Sequence, residues 1–163
     1  MKLLEVCVPT PVAPFYYALS ELGVVRCGFA PLHRITRSRD PVAKQFELEL
    51  QSYFAGELQV FETPVDDSKW TTFQRQVYAL CRQIPFGETR AYGDIAAVLG
   101  TGARAVGRAL GALPASLIVP AHRVIRMNGA LGGYQGREPI KAWLLEFESK
   151  ASSGGFCALQ NLG

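Results

Sequence analysis

The chain has 163 residues, 48 % of them apolar, enough to build one mid-sized domain or two small ones around a real core. Charged residues at 19 % and a net charge of +3 exclude a disordered, collagen-like or coiled-coil protein, and no apolar run approaches the ~18 residues of a membrane span. Glu5, Pro9, Pro11 and Pro14 interrupt the start, so it does not read as a secretory signal, and the expected location is the cytosol, on the nucleoid, or the nucleus in a eukaryote.

In chain order, residues 6–8, 15–19 and 24–29 are short β-prone runs separated by Pro or Gly. Asp40-Pro41 opens a helical stretch over 42–54, with Val42, Phe46, Leu50 and Phe54 as its apolar positions, and Gly56 stops it. Asp66-Asp67-Ser68 marks a boundary. The expected fold is therefore α+β: a small N-terminal α/β domain over 1–67 (short sheet plus helix), then a mainly helical domain over 68–150. Ser152-Ser153-Gly154-Gly155 predicts a flexible tail over 151–163.

In the second part, residues 71–83 carry Phe73, Val77, Leu80 and Cys81 on one helical face, and Ile84-Pro85-Phe86-Gly87 ends the helix with a turn. A short helix over 89–99, the turn Gly100-Thr101-Gly102 and a second helix over 103–112 outline a helix-turn-helix, whose second helix docks on DNA. That helix, from Ala103, Arg104 and Ala105 through Gly107, Arg108 and Leu110, has small side chains apart from its two arginines, Val106 and Leu110. It lacks the Asn and Gln that read base edges in the major groove. Small residues favour close, sequence-independent approach, with Arg104 as the candidate stand-in for an extruded base. A sequence-reading regulator fits this helix less well. Residues 90–141 hold seven basic groups (Arg90, Arg104, Arg108, Arg123, Arg126, Arg137, Lys141) against Asp94 and Glu138, a net +5 that leaves −2 for the rest, and so suggest a phosphate-binding face.

The four cysteines, Cys7, Cys27, Cys81 and Cys157, form no CxxC pair and no disulfide framework. A metal held by Cys7, Cys27 and His33 is the functional reading of two of them; ordinary core cysteines are the simpler one, so no metal and no cofactor are expected.

The ordered series Tyr53-Phe54-Ala55-Gly56, Phe73-Gln74, Ile84-Pro85-Phe86-Gly87, Tyr92-Gly93, Arg104-Ala105-Val106-Gly107, Pro120-Ala121-His122-Arg123, Gly132-Gly133-Tyr134-Gln135-Gly136, Lys141-Ala142-Trp143-Leu144-Leu145 and Glu148 resembles the alkylguanine-DNA alkyltransferase family over most of the chain. The family motif is Pro-Cys-His-Arg, in which a thiolate takes the alkyl group from a flipped-out guanine. The resemblance implies that Ala121 stands at the Cys position and that His122 and Glu148 are vestiges of the activating pair. A methyl group offers no lone pair, so no alkyl transfer is expected. Cys157 is the one substitute to consider, and nothing beside it in sequence would lower its pKa. The Asn-Pro pair that usually precedes the motif is Leu113-Pro114 here. Losing both residues points to a natural non-catalytic branch, the alkyltransferase-like proteins; the alternative is a Cys-to-Ala inactivated form of a true methylated-DNA-cysteine methyltransferase.

The resemblance further implies DNA contacts by Tyr92, Ala103, Arg104, Ala105, Gly107, Arg108 and Arg123. It implies an alkylguanine pocket of Tyr92, Leu110, Pro120, Ala121, Gly133, Tyr134, Gln135 and Gly136. The expectation is a monomer that binds double-stranded DNA containing O6-alkylguanine, flips the base and flags it for nucleotide excision repair proteins.

Overall fold

A computed structural model describes the backbone of residues 4–32 and 39–160 and the side chains of 5–32 and 39–153. The three β-prone runs form an antiparallel meander, β1 (Leu4–Val8), β2 (Phe15–Ser20) and β3 (Gly23–Gly28), in the order β1-β2-β3. Alternation places Phe15, Tyr17 and Leu19 of β2 on the core side, as a half-buried strand requires. Helix α1 (Pro41–Phe54) starts where Asp40 caps the Val42 N–H, with proline in its first turn. Its buried stripe is Ala43, Phe46, Leu50 and Tyr53: of the predicted positions Phe46 and Leu50 are buried, and Val42 and Phe54 only partly. The cause is aromatic packing: Phe46 meets Phe15, Tyr17 and Phe61 edge-on, and Tyr53 turns inward to Phe86 and Phe147.

Helix α2 (Thr72–Arg82) begins with a capping box between Thr71 and Gln74. It buries Val77, Tyr78 and Cys81; Phe73 and Leu80 are only partly buried, because the Tyr78 hydroxyl donates to the Ala109 carbonyl at 2.7 Å and turns that face inward. The predicted helix over 89–99 is shorter: Arg90–Ala91 is a strand, β4, and α3 (Tyr92–Leu99) follows it. β4 pairs in parallel with β5 (Val124–Ile125), a partner 34 residues away that no local pattern could supply. Gly100, at φ +65°, makes the left-handed turn that ends α3, a conformation glycine adopts without a Cβ clash. Helix α4 (Ala103–Gly111) packs on α2 and α3 through Val106, Ala109 and Leu110. Residues 121–123 form a 3-10 turn.

The last helix, α5 (Glu138–Gln160), corrects the expected tail: its helical backbone continues past Lys150 to Gln160. Ser152 Oγ donates to the Glu148 carbonyl at 2.7 Å, so the first part of the predicted tail is ordinary helix. The sheet and the helical part are joined directly. Cys27 N–H donates to the Pro114 carbonyl at 2.7 Å and Ser116 N–H donates back to the Cys27 carbonyl at 3.1 Å, which extends the edge of β3 into the segment before the 3-10 turn. One apolar core runs through both parts.

Candidate nucleic-acid interface and base pocket

The outer face of α4 carries Ala103, Arg104, Gly107, Arg108 and Gly111. Beside it opens a cavity of about 490 Å³, bounded by Ala103, Arg104, Gly107, Leu110 and Gly111 of α4, Tyr92 and Gly93 at the start of α3, Ser116, Ala121, Arg126, Met127 and the glycine-rich stretch 132–135. Of the residues predicted for the pocket, Tyr92, Leu110, Ala121, Gly133, Tyr134 and Gln135 line it. Pro120 faces a different hollow, beside Phe86 and Arg123, and Gly136 lies outside the wall. Of the predicted DNA contacts, Tyr92, Ala103, Arg104 and Gly107 line the cavity and Arg108 lies next to it.

Arg123 corrects an expectation. It is 5 % exposed, so it cannot reach a phosphate. Its Nε and Nη2 donate to Glu148 at 2.7 and 3.1 Å and its Nη1 to the Ile84 carbonyl at 2.8 Å. Lys141, counted with the basic face, is also internal, at 0 % exposed. Its Nζ donates to the Val124 carbonyl at 2.6 Å and to the Gly133 carbonyl at 3.3 Å, and lies 3.4 Å from the Tyr92 hydroxyl. Burial lowers its pKa to about 8. One ammonium thus ties β5, the glycine-rich loop and Tyr92 together. The clue in sequence is spacing: Ile140, Leu144 and Phe147 share the inward stripe of α5. Gly132, at φ +73°, completes this wall, since a Cβ there would lie 2.9 Å from the Tyr92 ring.

Behind Ala121 lies a buried polar cluster. Glu148 accepts from Tyr53 Oη at 2.7 Å, His122 Nε2 at 2.5 Å, Arg123 and the Gly87 N–H at 3.1 Å. Burial lowers the His122 pKa and outweighs the attraction of Glu148, so the imidazole is neutral and donates through Nε2. Burial works to raise the Glu148 pKa, but hydrogen bonds from His122 and Arg123, with the Arg123 charge, hold it well below the usual carboxylate range. His122 Nδ1 is buried without a hydrogen-bond partner among the described residues. The buried Ala121, 7 % exposed, presents only a methyl group to the cavity. A methyl group carries no lone pair, so the Ala121 side chain itself is not a nucleophile.

Ser116 and Met127 were not foreseen, and Arg126 was counted with the basic face but not with the pocket. Ser116 sits where the chain turns, just before Leu117 takes φ +72°. Met127 is 77 % exposed at the cavity rim and packs over Gly93. Its signal was the turn sequence Arg126-Met127-Asn128-Gly129 just before the glycine-rich loop.

Among the described residues no group of three or more His, Cys, Asp or Glu could hold a metal, and no helix is long and apolar enough to cross a membrane. Cys27 is buried and donates its thiol to the Ser116 carbonyl at 3.2 Å, and burial pushes its pKa up. His33 and the Cys157 side chain lie outside the described residues.

Residues 72–150 match the family described as 6-O-methylguanine DNA methyltransferase, DNA binding domain. A DNA base-flipping protein of Thermus thermophilus is 42 % identical over 141 residues, covering 86 % of this chain and 96 % of the relative. A methylated-DNA–protein-cysteine methyltransferase of Mycobacterium bovis is 48 % identical over 149 residues, covering 86 % and 89 %. The crystal structure of the Mycobacterium tuberculosis alkyltransferase in complex with DNA superposes with a TM-score of 0.78 at 35 % identity, over 90 % of this chain and 93 % of that one. With the fold, the helix-turn-helix and the cavity beside it in agreement, this chain belongs to the alkylguanine-DNA alkyltransferase family.

Proposed function

We propose that the protein is a non-catalytic lesion sensor. It binds duplex DNA containing O6-alkylguanine, rotates the damaged nucleotide into the cavity beside α4, and holds it there without transferring the alkyl group, marking the site for nucleotide excision repair. The observation that carries this reading is the wall of the cavity: a base-sized space lined by Tyr92, Tyr134 and glycine backbone, next to Arg104, with the methyl of Ala121 in place of a thiol. Arg104, exposed at the start of α4, fills the gap left in the stack. A neutral, inward-facing His122 is consistent with a pair that now serves packing.

The second reading, a methyltransferase inactivated by a Cys-to-Ala change, draws on the intact His122–Glu148 pair. Leu113 speaks against it, because a single inactivating change would leave the neighbouring Asn of the family pattern in place.

The test is a titration of the protein into two duplexes that differ by one methyl on a central guanine oxygen, at fixed near-physiological salt. The expected result is much tighter binding of the methylated duplex, with the radiolabelled methyl remaining on the DNA. Equal binding would reject the sensor. Label on the protein would reject the non-catalytic reading, and a preference for one DNA sequence would point to a regulator. Ala121→Cys separates the two readings: accumulation of label at full family efficiency favours a disabled enzyme, and no label favours a branch that has diverged further.

A further inference from the structure

The cavity beside α4 has a neighbour. A second hollow of about 390 Å³ lies across Ser116, Tyr134 and Gln135, and these three residues together with Gly111 border both spaces. The far side of the second hollow is formed by β2 and β3, where Tyr16, Arg26 and Gly28 face it, and Arg137 lines it from the glycine-rich loop. Among the described residues neither Arg26 nor Arg137 pairs with a carboxylate. Among the described residues the Arg137 side chain makes one hydrogen bond, to the Gln135 carbonyl at 3.3 Å.

The partition between the two spaces is made by Gly111, Ser116, Tyr134 and Gln135. Ser116 is small. Gln135 is exposed, sits at φ +52°, and its side chain is held by one hydrogen bond, from Nε2 to the Leu113 carbonyl at 3.1 Å. The Tyr134 hydroxyl is buried beside Ser116 and, among the described residues, has no partner within ordinary hydrogen-bond geometry. A Gln side chain released from a single carbonyl can swing out at small cost, since that bond is replaced by water. Ala121 puts no atom beyond its Cβ into the first cavity, and Ser116 lines the same cavity at the border with the second hollow.

We propose that the two hollows together form one site for O6-alkylguanines whose chain is several atoms long and ends in a carboxylate. The base and the first carbons occupy the cavity beside α4, the chain passes Ser116 and Gln135, and the carboxylate lies between Arg26 and Arg137. Arginine suits this end of the site because its planar fork donates to both carboxylate oxygens. The inference rests on the lesion-sensor reading and adds to it the class of lesion that the sheet, a part remote from α4, would select.

The test uses the full chain and four duplexes: unmodified, O6-methylguanine, O6-(5-carboxypentyl)guanine and its neutral 5-carbamoylpentyl analogue, titrated at one salt concentration. The expected result is that the acid binds roughly five- to tenfold more tightly than the amide. Arg26→Gln and Arg137→Gln should each reduce that ratio toward one, and Arg26→Gln should leave the preference for methylated over unmodified DNA intact. Arg26 is exposed on the sheet, so its replacement does not threaten folding. Equal binding of acid and amide, or weaker binding of both than of the methyl duplex, overturns the inference alone. No preference for methylated over unmodified DNA overturns the sensor reading and this inference with it.

Discussion

Glu148 shows how a residue can be charged, buried and stabilising at once. Four residues from three parts of the chain donate to it: Tyr53, Gly87, and the neighbours His122 and Arg123. Removing its charge leaves the Arg123 guanidinium buried without a counter-ion, so Glu148→Gln should cost about 3–5 kcal/mol in denaturant unfolding. Tyr53→Phe removes one hydrogen bond to a charged acceptor and should cost about 1.5–3 kcal/mol. The pH dependence follows from the same cluster. His122, one of the chain's two histidines, has a lowered pKa when folded, so near pH 6.5 the unfolded chain takes up a proton there that the folded chain refuses. Its contribution is complete above that pH and is lost as the pH falls. Glu148, also lowered, acts in the same sense further down: it stabilises fully above the ordinary carboxylate range of ~4.3 and ceases to do so as the pH drops below it. The melting temperature should therefore fall between pH 7.5 and 5, and His122→Gln should flatten that fall. A wild-type melting curve that stays level over this range would contradict the buried neutral imidazole.

At the scale of the element, α4 sets two glycines, Gly107 and Gly111, among good helix formers, on the face proposed to meet DNA. A Cβ built at Gly107 meets nothing within 4 Å, so no contact inside the protein explains the glycine. Gly107→Ala should stabilise the free protein by up to about 1 kcal/mol, read as a rise in melting temperature. If α4 lies close against DNA, as proposed, the same variant should weaken binding to the methylated duplex, and a larger side chain at 107 should weaken it more. Stabilisation with unchanged binding would mean that α4 keeps its distance. Arg104→Ala should lower affinity for the lesion duplex while leaving unfolding unchanged, because its side chain is exposed and takes no part in the core.

For the whole molecule, the structure redistributes the charge counted along residues 90–141. Arg123 and Lys141 point inward, and Arg90 pairs with Glu88. Arg104, Arg108 and Arg126 remain exposed around the cavity, and Arg137 is half-buried in the second hollow, away from it. Each phosphate neutralised contributes about 0.9 to the slope of log affinity against log salt, so the slope should be near −3, not near −6 as seven free basic groups would give. Arg123→Gln should not change that slope, whereas Arg108→Gln should reduce it by about one unit.

The sequence by itself determined the local elements and the chemistry missing from one position. Alternating and helical periodicities, the Thr71 cap, the Gly100 turn and the ordered motifs are each written within a few residues, and so is the methyl at Ala121, because short-range sterics and hydrogen bonds decide them. Only the tertiary structure decided which cations reach solvent. Arg123 and Lys141 look like surface charge in a basic segment, and they are internal because acceptors distant in sequence, Glu148 for one and the Val124 and Gly133 carbonyls for the other, converge on them after folding. The same holds for β4, whose partner comes from beyond α4, and for Ser116, which becomes part of two cavities only when the chain before the 3-10 turn is laid along the edge of β3. A charge needs a partner and a strand needs a neighbour, and neither requirement says where along the chain the other half will be found.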